Sequence, residues 1–522
     1  MKKYLPIGLL FLIAFIVRCY GLSKSPIFPD EITWMVRAKE SFLALRTFNW
    51  GYIQGFFNGP NAWWRIDNDT QSIATPLALI IGPFIAYLGK GQSILSFNLL
   101  PDFVAARLPL VLINSLIIIP LYLLTESLVG RKVAVLTSLL YSLDPVGVAY
   151  SRLILNDGLL TFFILVGIYS FFYIKNNLLS VFLSSLSLAS GFLTKPNGIL
   201  LIVAWVTYGL ISENKGEVFK KLTLSLIFAT IFIQILWPES WYHPVASIFE
   251  YLYRQTILVS AGIRVYFAGV VTNNPPPYYY LFQILARLPS YALLGLLAYL
   301  VIIVRKFFKK GIDKKFLFSH AVHLSIASFA LVFLLSVSFS PKKLGVRYIL
   351  PVWPILYICA SWAIYKLSAK YNLAKIVITF VLLVGVYNLA SYYPSYDYYY
   401  SELLGGPKNV QKYSLVTHCY GAKESIDYIN KCFPQASSFA YLGCARPATP
   451  YYYANPVTEN WQGEDIVVIE ESYRILRAET DAVNYYKDKV PEKALAVKGA
   501  VLSRLYLQSS SLTNLCKMNL VQ

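Results

Sequence analysis

Two adjacent carboxylates, Asp30 and Glu31, stand in the segment Phe28-Pro29-Asp30-Glu31-Ile32-Thr33-Trp34, just beyond the first long apolar run of the chain. A carboxylate close to a bilayer loses part of its hydration, so its presence there calls for a reason. It can act as a general base, as a metal ligand or as a clamp on a substrate. The other polar residues of the chain help to choose among these roles.

Basic residues form a second group, and they occupy tight positions at the ends of apolar segments. Arg and Lys both suit a bound phosphate, Arg through its planar fork and Lys as a point charge. Several such cations at one face therefore predict an anion site. For Lys342 and Lys343, contact with lipid headgroups explains the charge equally well. The predicted phosphate-binding residues are Arg152, Lys195, His243, Arg347 and Tyr348.

The composition identifies the environment of these residues as a membrane. The chain has 522 residues, of which 57% are hydrophobic and only 14% charged, whereas soluble domains average about 25% charged residues. The net charge of +19 would suggest nucleic acid in a soluble protein. Here most Lys and Arg residues stand in short loops between apolar runs, which is the positive-inside pattern of membrane proteins.

Apolar segments predict about eleven transmembrane helices. No small-residue cleavage site clearly follows the first run, which is therefore interpreted as an uncleaved helix and not as a signal peptide. The predicted helices cover residues 4–21, 103–129, 132–150, 158–174, 178–193, 197–212, 222–237, 284–304, 316–339, 346–366 and 372–391.

The helices are predicted to span the cytoplasmic membrane. The distribution of basic loops then places the N-terminus of the chain in the cytoplasm. Residues 1–392 then form a transmembrane domain, and a long first outer loop at 22–102 carries the acidic pair. If the apolar segment 73–88 crossed the membrane, the basic loops would no longer all fall on one side, so we expect a juxtamembrane or half-embedded helix on the outer face there. Residues 393–522 form a small extracytoplasmic α/β domain, in which 464–469 is predicted to be a buried strand.

Four of the six cysteines, Cys419, Cys432, Cys444 and Cys516, lie in this C-terminal domain. An even number of cysteines in an extracytoplasmic domain permits disulfides, and buried free thiols are an equal alternative. The sequence does not decide which cysteines would pair.

The outer face thus combines a carboxylate pair, cations and many aromatic residues. A lipid-linked phosphate would place its charge at this interface and its tail among the helices, where a carboxylate could deprotonate an incoming hydroxyl. A lipid or glycan transporter is the main alternative, but its charges are expected nearer the midplane. A membrane-anchored binding protein would not need eleven helices.

Two acidic features could instead indicate a metal. Asp67-Asn68-Asp69 has the DxD spacing that holds a metal with a nucleotide diphosphate, but a loop turn is the preferred interpretation because a lipid monophosphate donor requires no metal. Asp157 could join Asp30 in a metal site, although a supporting role is favoured. We therefore predict no required cofactor, with a divalent metal as the less favoured alternative.

The same residues also fall in motifs whose order resembles a known group of proteins. Residues 1–407 resemble the polyprenyl-phosphate-sugar-dependent glycosyltransferases of the GT-C superfamily, and most closely the protein O-mannosyltransferase and aminoarabinose-transferase-like members. Each motif is short and common, and only the order of the whole set makes the resemblance specific. The motifs are Pro29-Asp30-Glu31, Thr75-Pro76-Leu77, Ala106-Arg107-Leu108-Pro109, Ser151-Arg152 to Asn156-Asp157, Leu193-Thr194-Lys195-Pro196, Arg287-Leu288-Pro289, Arg347-Tyr348 to Pro351, and Tyr399 to Pro407.

This resemblance implies a GT-C fold and an inverting transfer of a sugar from undecaprenyl or dolichyl phosphate to a hydroxyl of a protein, lipid or glycan. It implies that Asp30 is the catalytic base, that Glu31 supports it and that the basic group holds the donor phosphate. Asp157, Arg37 and Arg107 are expected in supporting positions. One departure is Thr75, which stands where the family often has His or Lys.

Overall fold

The chain is described here from a computed structural model. The described residues are 5–46, 75–88, 99–237, 240–241, 244–260, 262–310, 314–415, 419–508 and 515–518. The predicted DxD segment, Asp67 to Asp69, and His243 lie outside these ranges.

Helices dominate the described part of the chain up to residue 392. They are α1 (Leu5–Cys19), α2 (Pro29–Arg46), α3 (Thr75–Leu88), α4 (Leu99–Leu116), α5 (Ile118–Val129), α6 (Arg131–Ser142), α7 (Pro145–Ser151), α8 (Asn156–Tyr173), α9 (Asn177–Thr194), α10 (Leu201–Ile211), α11 (Lys215–Leu236), α12 (Pro244–Ser260), α13 (Tyr279–Arg287), α14 (Ser290–Lys310), α15 (Lys314–Ser319), α16 (Ala321–Phe339), α17 (Trp353–Lys370) and α18 (Ala374–Tyr392). A two-stranded antiparallel hairpin, β1 (Val265–Phe267) and β2 (Val270–Thr272), lies between α12 and α13.

Within the described ranges, eight helical segments are long and apolar enough to cross a membrane, so the chain is a multi-pass membrane protein. A ninth span results if the bent pair α6–α7 counts as one. These segments coincide with nine of the predicted helices, but the predicted number of eleven is not confirmed. The other two predictions correspond to the shorter segment 196–211 and to a helix pair that is interrupted at Pro289.

The bend of 63° between α6 and α7 has a local cause. Asp144 caps α7, and its carboxylate accepts hydrogen bonds from the backbone N–H groups of Val146 (3.3 Å) and Gly147 (2.8 Å). Trp353 of α17 donates its indole N–H to the same carboxylate at 2.7 Å. These donors compensate the lost hydration of a buried acid, and they fix the bend to a neighbouring helix.

The helix expected at 73–88 is present as α3, which packs against α2. A Cβ on Gly82 would lie 2.5 Å from the Cβ of Phe42 and 2.7 Å from the carbonyl oxygen of Ala38, so only glycine allows this close approach. Met35 and Leu77 are buried between the two helices. Helix α2, whose first turn carries Asp30 and Glu31, is therefore held in place by its packing on α3.

The C-terminal domain is a small α/β unit, as predicted. Its five-stranded sheet has the order β4-β3-β5-β7-β6, in which β3 pairs in parallel with β4 and β5 while β7 is antiparallel to β5 and β6. The predicted buried strand is observed as β5. The elements are α19 (Gly406–Val410), α20 (Ala422–Cys432), β3 (Phe439–Leu442), β4 (Val457–Thr458), β5 (Ile466–Glu470), α21 (Glu471–Leu476), α22 (Asp481–Tyr486), β6 (Lys493–Val497), β7 (Ala500–Leu507) and α23 (Leu515–Met518).

Two disulfides, Cys419–Cys444 and Cys432–Cys516, connect this domain internally. The domain also contacts the loop before α2, because the hydroxyl of Tyr452 accepts a hydrogen bond from the backbone N–H of Ile27 at 2.7 Å. The ring of Tyr420 packs on Phe28 with 5.6 Å between centroids. The C-terminal domain thus supports the backbone that leads into the acidic pair.

A buried carboxyl group should make this domain sensitive to pH. Burial raises the pKa of Glu470 from its ordinary value of 4.5 to about 7. The folded domain thus holds a proton that the unfolded chain releases, so stability should fall by about 3 kcal/mol as the pH rises from 4.5 to 7. Burial also raises the pKa of Glu424, which adds to the same trend.

The variant Glu470→Gln should therefore flatten the pH dependence of unfolding, measured on the full chain by near-ultraviolet circular dichroism at pH 5 and pH 8. Asp488→Asn, which alters an exposed carboxylate of the same domain, should leave the wild-type dependence unchanged. An unaltered pH dependence in Glu470→Gln would mean that this carboxyl group titrates equally in the folded and unfolded chain.

Candidate active site

Asp30 lies in the first turn of α2, where the helix begins at Pro29. Its Oδ2 atom forms an ion pair with Nη1 of Arg347 at 3.1 Å. The Asp30 side chain is 48% exposed and that of Arg347 only 14%. The carboxylate is therefore accessible from solvent on one side while a more buried cation holds it on the other, an arrangement that leaves one oxygen available to a substrate.

Arg347 is positioned by a short 3₁₀ helix, Val346–Val352, that leads into α17. Gly345 precedes it with φ +64°, a backbone conformation that other residues rarely adopt, and its N–H donates to the hydroxyl of Tyr279 at 3.1 Å. The guanidinium carbon lies 5.3 Å from the ring centroid of Phe28 and 5.7 Å from that of Tyr348. Aromatic faces thus hold this cation beside Asp30.

Lys195 provides a second cation beside the ring of the same tyrosine. Its Nζ atom forms an ion pair with Oδ1 of Asp157 at 2.7 Å and lies 3.7 Å from the ring centroid of Tyr348. Asp157 belongs to the first turn of α8, and Lys195 immediately follows α9. Tyr348 therefore contacts both Lys195 and Arg347, and two cations and two carboxylates gather around one aromatic ring.

Glu31 differs sharply from its neighbour Asp30, because it is fully buried. Its two oxygens accept hydrogen bonds from Nε and Nη2 of Arg107 at 2.8 and 2.6 Å. They also accept from the backbone N–H groups of Phe28 and Ile154, both at 2.9 Å. A carboxylate with four donors is well compensated for its burial and is not accessible to a substrate.

Arg107 completes this buried connection from α4. Besides binding Glu31, it donates to the backbone carbonyl oxygens of Leu22 (3.3 Å), Ser25 (3.2 Å) and Pro26 (2.8 Å). One guanidinium thus fixes the loop that leads to α2 and the second carboxylate of the acidic pair. Arg107 acts on Asp30 only by fixing the helix start on which Asp30 stands.

Arg152 does not join this cluster through any contact between described residues. Its side chain is buried, and its three guanidinium nitrogens have no hydrogen-bond partner among the described residues. Its guanidinium carbon lies 5.1 Å from the ring centroid of Tyr396. Burial lowers the pKa of Arg152 to about 10, so the guanidinium stays charged at neutral pH. Because its nitrogens are buried without described partners, this side chain remains a candidate anion ligand, but at a separate position.

Two other predicted residues have no described side chain. His243 lies outside the described residues, and for Arg37 only the backbone, within α2, is described. Conversely, the structure reveals a contribution that the sequence reasoning missed, namely the aromatic support of Arg347 by Phe28. The sequence did contain a signal for this contact, since Phe28 stands two positions before Asp30.

Among the residues that the structure describes, no group of three or more His, Cys, Asp or Glu side chains is suitably placed for a metal ion. The acids of the cluster are instead engaged with cations, Asp30 with Arg347 and Asp157 with Lys195.

Comparisons with known proteins agree with the resemblance. Residues 83–242 match the sequence profile of the family described as dolichyl-phosphate-mannose-protein mannosyltransferase. A search of curated proteins by sequence found no match. Two of the structural matches extend over nearly the whole chain.

ArnT from Cupriavidus metallidurans bound to undecaprenyl phosphate is similar at 15% sequence identity and a TM-score of 0.50, over 97% of this chain and 99% of that one. The apo form of the same protein is similar at 14% identity and the same TM-score, over 97% and 98% of the two chains. The archaeal oligosaccharyltransferase AglB from Archaeoglobus fulgidus is similar at 12% identity and a TM-score of 0.47, over 90% and 70%. The chain thus shares its fold with ArnT over nearly the whole length of both chains, and the family match covers residues 83–242.

Proposed function

We propose that this protein is a glycosyltransferase of the GT-C superfamily and that it moves a sugar from a polyprenyl phosphate to a hydroxyl group of an acceptor at the extracytoplasmic face of the cytoplasmic membrane. The observation that carries the proposal is the cluster of Asp30, Arg347, Tyr348, Lys195 and Asp157 in a multi-pass membrane protein. It combines an accessible carboxylate with two cations, which are the groups that such a transfer needs.

In the proposed reaction, Asp30 accepts the proton of the acceptor hydroxyl as the oxygen forms a bond to the anomeric carbon. The bond from that carbon to the phosphate oxygen breaks, and the electron pair leaves with the polyprenyl phosphate. A single displacement from the opposite face inverts the anomeric configuration. Asp30 suits the role of base because it is half exposed, whereas Glu31 is enclosed and serves to hold α2 in place.

The leaving phosphate gains negative charge, which Arg347 and Lys195, both beside Tyr348, would stabilise. Before the donor binds, Asp30 and Asp157 neutralise these cations. A phosphate can then compete with the carboxylates for the same donors, which would free Asp30 for its proton. His243 is proposed as a further phosphate contact, whereas Arg152, which lies against Tyr396, would bind an anion at a separate position.

A phosphate held in this way needs no divalent cation, since two side chains already supply positive charge. We therefore propose that Asp157 orients Lys195 and does not ligate a metal. Undecaprenyl phosphate, which the similar Cupriavidus protein binds, and dolichyl phosphate, which the family description mentions, are the donor carriers to test. The two disulfides support an extracytoplasmic position of the C-terminal domain, because disulfides persist in oxidising compartments.

The test is a transfer assay on the full chain in proteoliposomes with a panel of sugars linked to undecaprenyl or dolichyl phosphate. We expect release of free polyprenyl phosphate together with a glycosylated acceptor, and the panel identifies the sugar. Movement of intact donor across the bilayer without cleavage of the sugar–phosphate bond would contradict the proposal and indicate a transporter.

The cations make a separate prediction about donor affinity. Lys195→Ala and Arg347→Ala should each weaken binding of undecaprenyl phosphate about 10- to 100-fold, because each removes a charge-assisted contact. The measurement is a binding titration with detergent-solubilised protein. Lys342→Ala, which alters a half-buried lysine near Arg347 in the chain, is the matched control and should bind normally. Normal affinity in both active-site variants would show that the phosphate binds elsewhere.

A further inference from the structure

The disulfide Cys419–Cys444 lies where the C-terminal domain meets the loop before α2. Cys419 is buried in an apolar cluster that also contains Tyr420 and, from that loop, Phe28. Cys444 is exposed and stands two residues after the end of β3. One half of the bridge therefore packs beside the candidate active site, while a reductant in solvent can approach the other half.

A carboxyl group lies beside the exposed half of this disulfide. Glu470 is the last residue of β5, which pairs in parallel with β3, so Glu470 and Cys444 meet at the same edge of the sheet. The Oε1 atom of Glu470 lies 3.4 Å from Sγ of Cys444, and the backbone N–H of Cys419 donates to the same carboxyl group. Gly443 leaves room for this acid, because a Cβ at that position would collide with its Oε2 atom. The acid thus contacts both cysteines of the bridge.

This carboxyl group is suited to donate a proton. Burial raises the pKa of Glu470 to about 7, so its acid form is present at neutral pH. A disulfide sulfur carries no proton, whereas a thiolate that leaves the bridge must gain one to become a thiol. A proton held 3.4 Å from Sγ of Cys444 is within reach of this step.

The backbone of Cys419 connects the bridge to the candidate base. Its φ of +62° lies in the left-handed region, which residues other than glycine rarely adopt, and the disulfide fixes its side chain there. The next residue, Tyr420, packs on Phe28, whose ring centroid lies 5.3 Å from the guanidinium carbon of Arg347. Opening the bridge allows Cys419 to leave this conformation and to carry Tyr420 away from Phe28. Arg347, the cation paired with Asp30, then loses part of its support.

The second disulfide, Cys432–Cys516, has different surroundings. Cys432 is buried and packs with Phe433 in the core of the C-terminal domain. This core cluster is separate from the one that contains Phe28 and Tyr420. The second bridge is therefore expected to be structural, and it provides an internal reference for the reactivity of the first.

We propose that Cys419–Cys444 is a site of thiol–disulfide exchange with a dithiol, and that its reduction switches off sugar transfer by releasing Tyr420 from Phe28. The effect on transfer rests on the proposed function, whereas the exchange itself does not. The reverse exchange with the oxidised dithiol restores the bridge and the active arrangement.

The exchange proceeds in two steps. One thiolate of the dithiol attacks Sγ of Cys444, the S–S bond breaks, and Cys419 leaves as a thiolate that takes a proton from water. The second thiolate then attacks the dithiol's own sulfur in the mixed disulfide, and Cys444 leaves with a proton from Glu470, which regains one from water. Two electrons pass from the dithiol, which becomes a disulfide, to the bridge, which becomes two thiols.

The test treats the full chain in detergent micelles with dithiothreitol at neutral pH and follows each cysteine by alkylation and mass spectrometry. Cys419–Cys444 should be reduced about tenfold or more faster than Cys432–Cys516. As the first bridge opens, amide hydrogen exchange in residues 22–31 should rise, and the turnover of sugar transfer should fall about tenfold or more. Cys419→Ser with Cys444→Ser should show both effects without dithiothreitol. Cys432→Ser with Cys516→Ser is the matched control and should keep its transfer until the first bridge is reduced.

A separate variant tests the proton donor. Glu470→Gln should slow the reduction of Cys419–Cys444 about tenfold or more, because glutamine has no proton to release. A purely structural role of Glu470 predicts the opposite, since a loosened domain exposes the bridge and is reduced faster. Asp488→Asn, which alters an exposed carboxylate of the same domain, should be reduced like the wild type. Equal or faster reduction in Glu470→Gln would exclude Glu470 as the donor.

The outcomes separate this proposal from the proposed function. Reduction of both bridges at the same rate would overturn the exchange site. Selective reduction that leaves both the amide exchange of residues 22–31 and the turnover unchanged would overturn the switch. Selective reduction with raised amide exchange, in a protein that transfers no sugar even when oxidised, would support the exchange site and contradict the proposed function. Should a serine variant fail to fold, the reduction of the wild type decides.

Discussion

Asp30→Asn is expected to lower the turnover of sugar transfer about 10²- to 10⁴-fold, the range that a general base contributes. The asparagine keeps the shape of the side chain but cannot accept the acceptor proton. Affinity for undecaprenyl phosphate should stay the same or rise, because the variant removes the negative charge that competes with phosphate for Arg347. Turnover at saturating donor and acceptor, measured beside donor binding, checks both parts of this expectation.

The control for this experiment is Asp427→Asn. Asp427 also forms an ion pair, with Lys423 at 2.6 Å, but on the exposed surface of α20. The variant Asp427→Asn should leave transfer unchanged. A loss of transfer in Asp30→Asn alone would then reflect the loss of the base and not the loss of an ion-paired aspartate in general. Wild-type turnover in Asp30→Asn would exclude Asp30 as the base, and attention would then move to Asp157.

The second large effect is expected from Arg107→Met, which should destabilise the membrane domain by about 3–5 kcal/mol. The substitution leaves the Glu31 carboxylate buried without its charged partner and removes the donor to three carbonyl groups of the preceding loop. Thermal unfolding in detergent should show a lower midpoint, and transfer should fall with it because α2 loses its anchor.

A double variant tests whether the ion pair is the cause. Glu31→Gln combined with Arg107→Met removes both charges, so it should recover part of the stability that Arg107→Met loses. Arg107→Lys is informative as well, since lysine cannot form the paired contact with both oxygens of Glu31. If the double variant is no more stable than Arg107→Met, the lost carbonyl contacts and not the buried charge dominate.

Part of the charge cluster could be predicted from the sequence. Lys195 and Arg347 were predicted to belong to one group of cations because both occupy tight positions at the ends of apolar segments, where a charge is costly without a partner. The structure brings both to Tyr348. In contrast, the sequence does not distinguish the roles of Asp30 and Glu31, because adjacent residues of a helix face different surroundings that depend on distant contacts.

Arg152 and the helix boundaries show the same limit. Arg152 satisfies the same pattern as Lys195, yet it lies beneath the ring of Tyr396, a contact between residues far apart in the chain. The prediction of one helix at 132–150 missed the bend, which depends on the Asp144 cap and on a donor from α17. Apolar composition predicts that a segment is helical in the membrane but not where local hydrogen bonds interrupt it.

The hydrogen bond from Ile27 to Tyr452 has a consequence for biogenesis, because it joins positions 425 residues apart. The ion pair of Asp30 with Arg347 likewise spans 317 residues. A nascent chain that has inserted its first helices therefore carries the acidic residue without its cation or its tyrosine support. The protein should therefore become active only after its last segments have been synthesised and have folded against the membrane domain. Truncated translation products should remain inactive in the membrane.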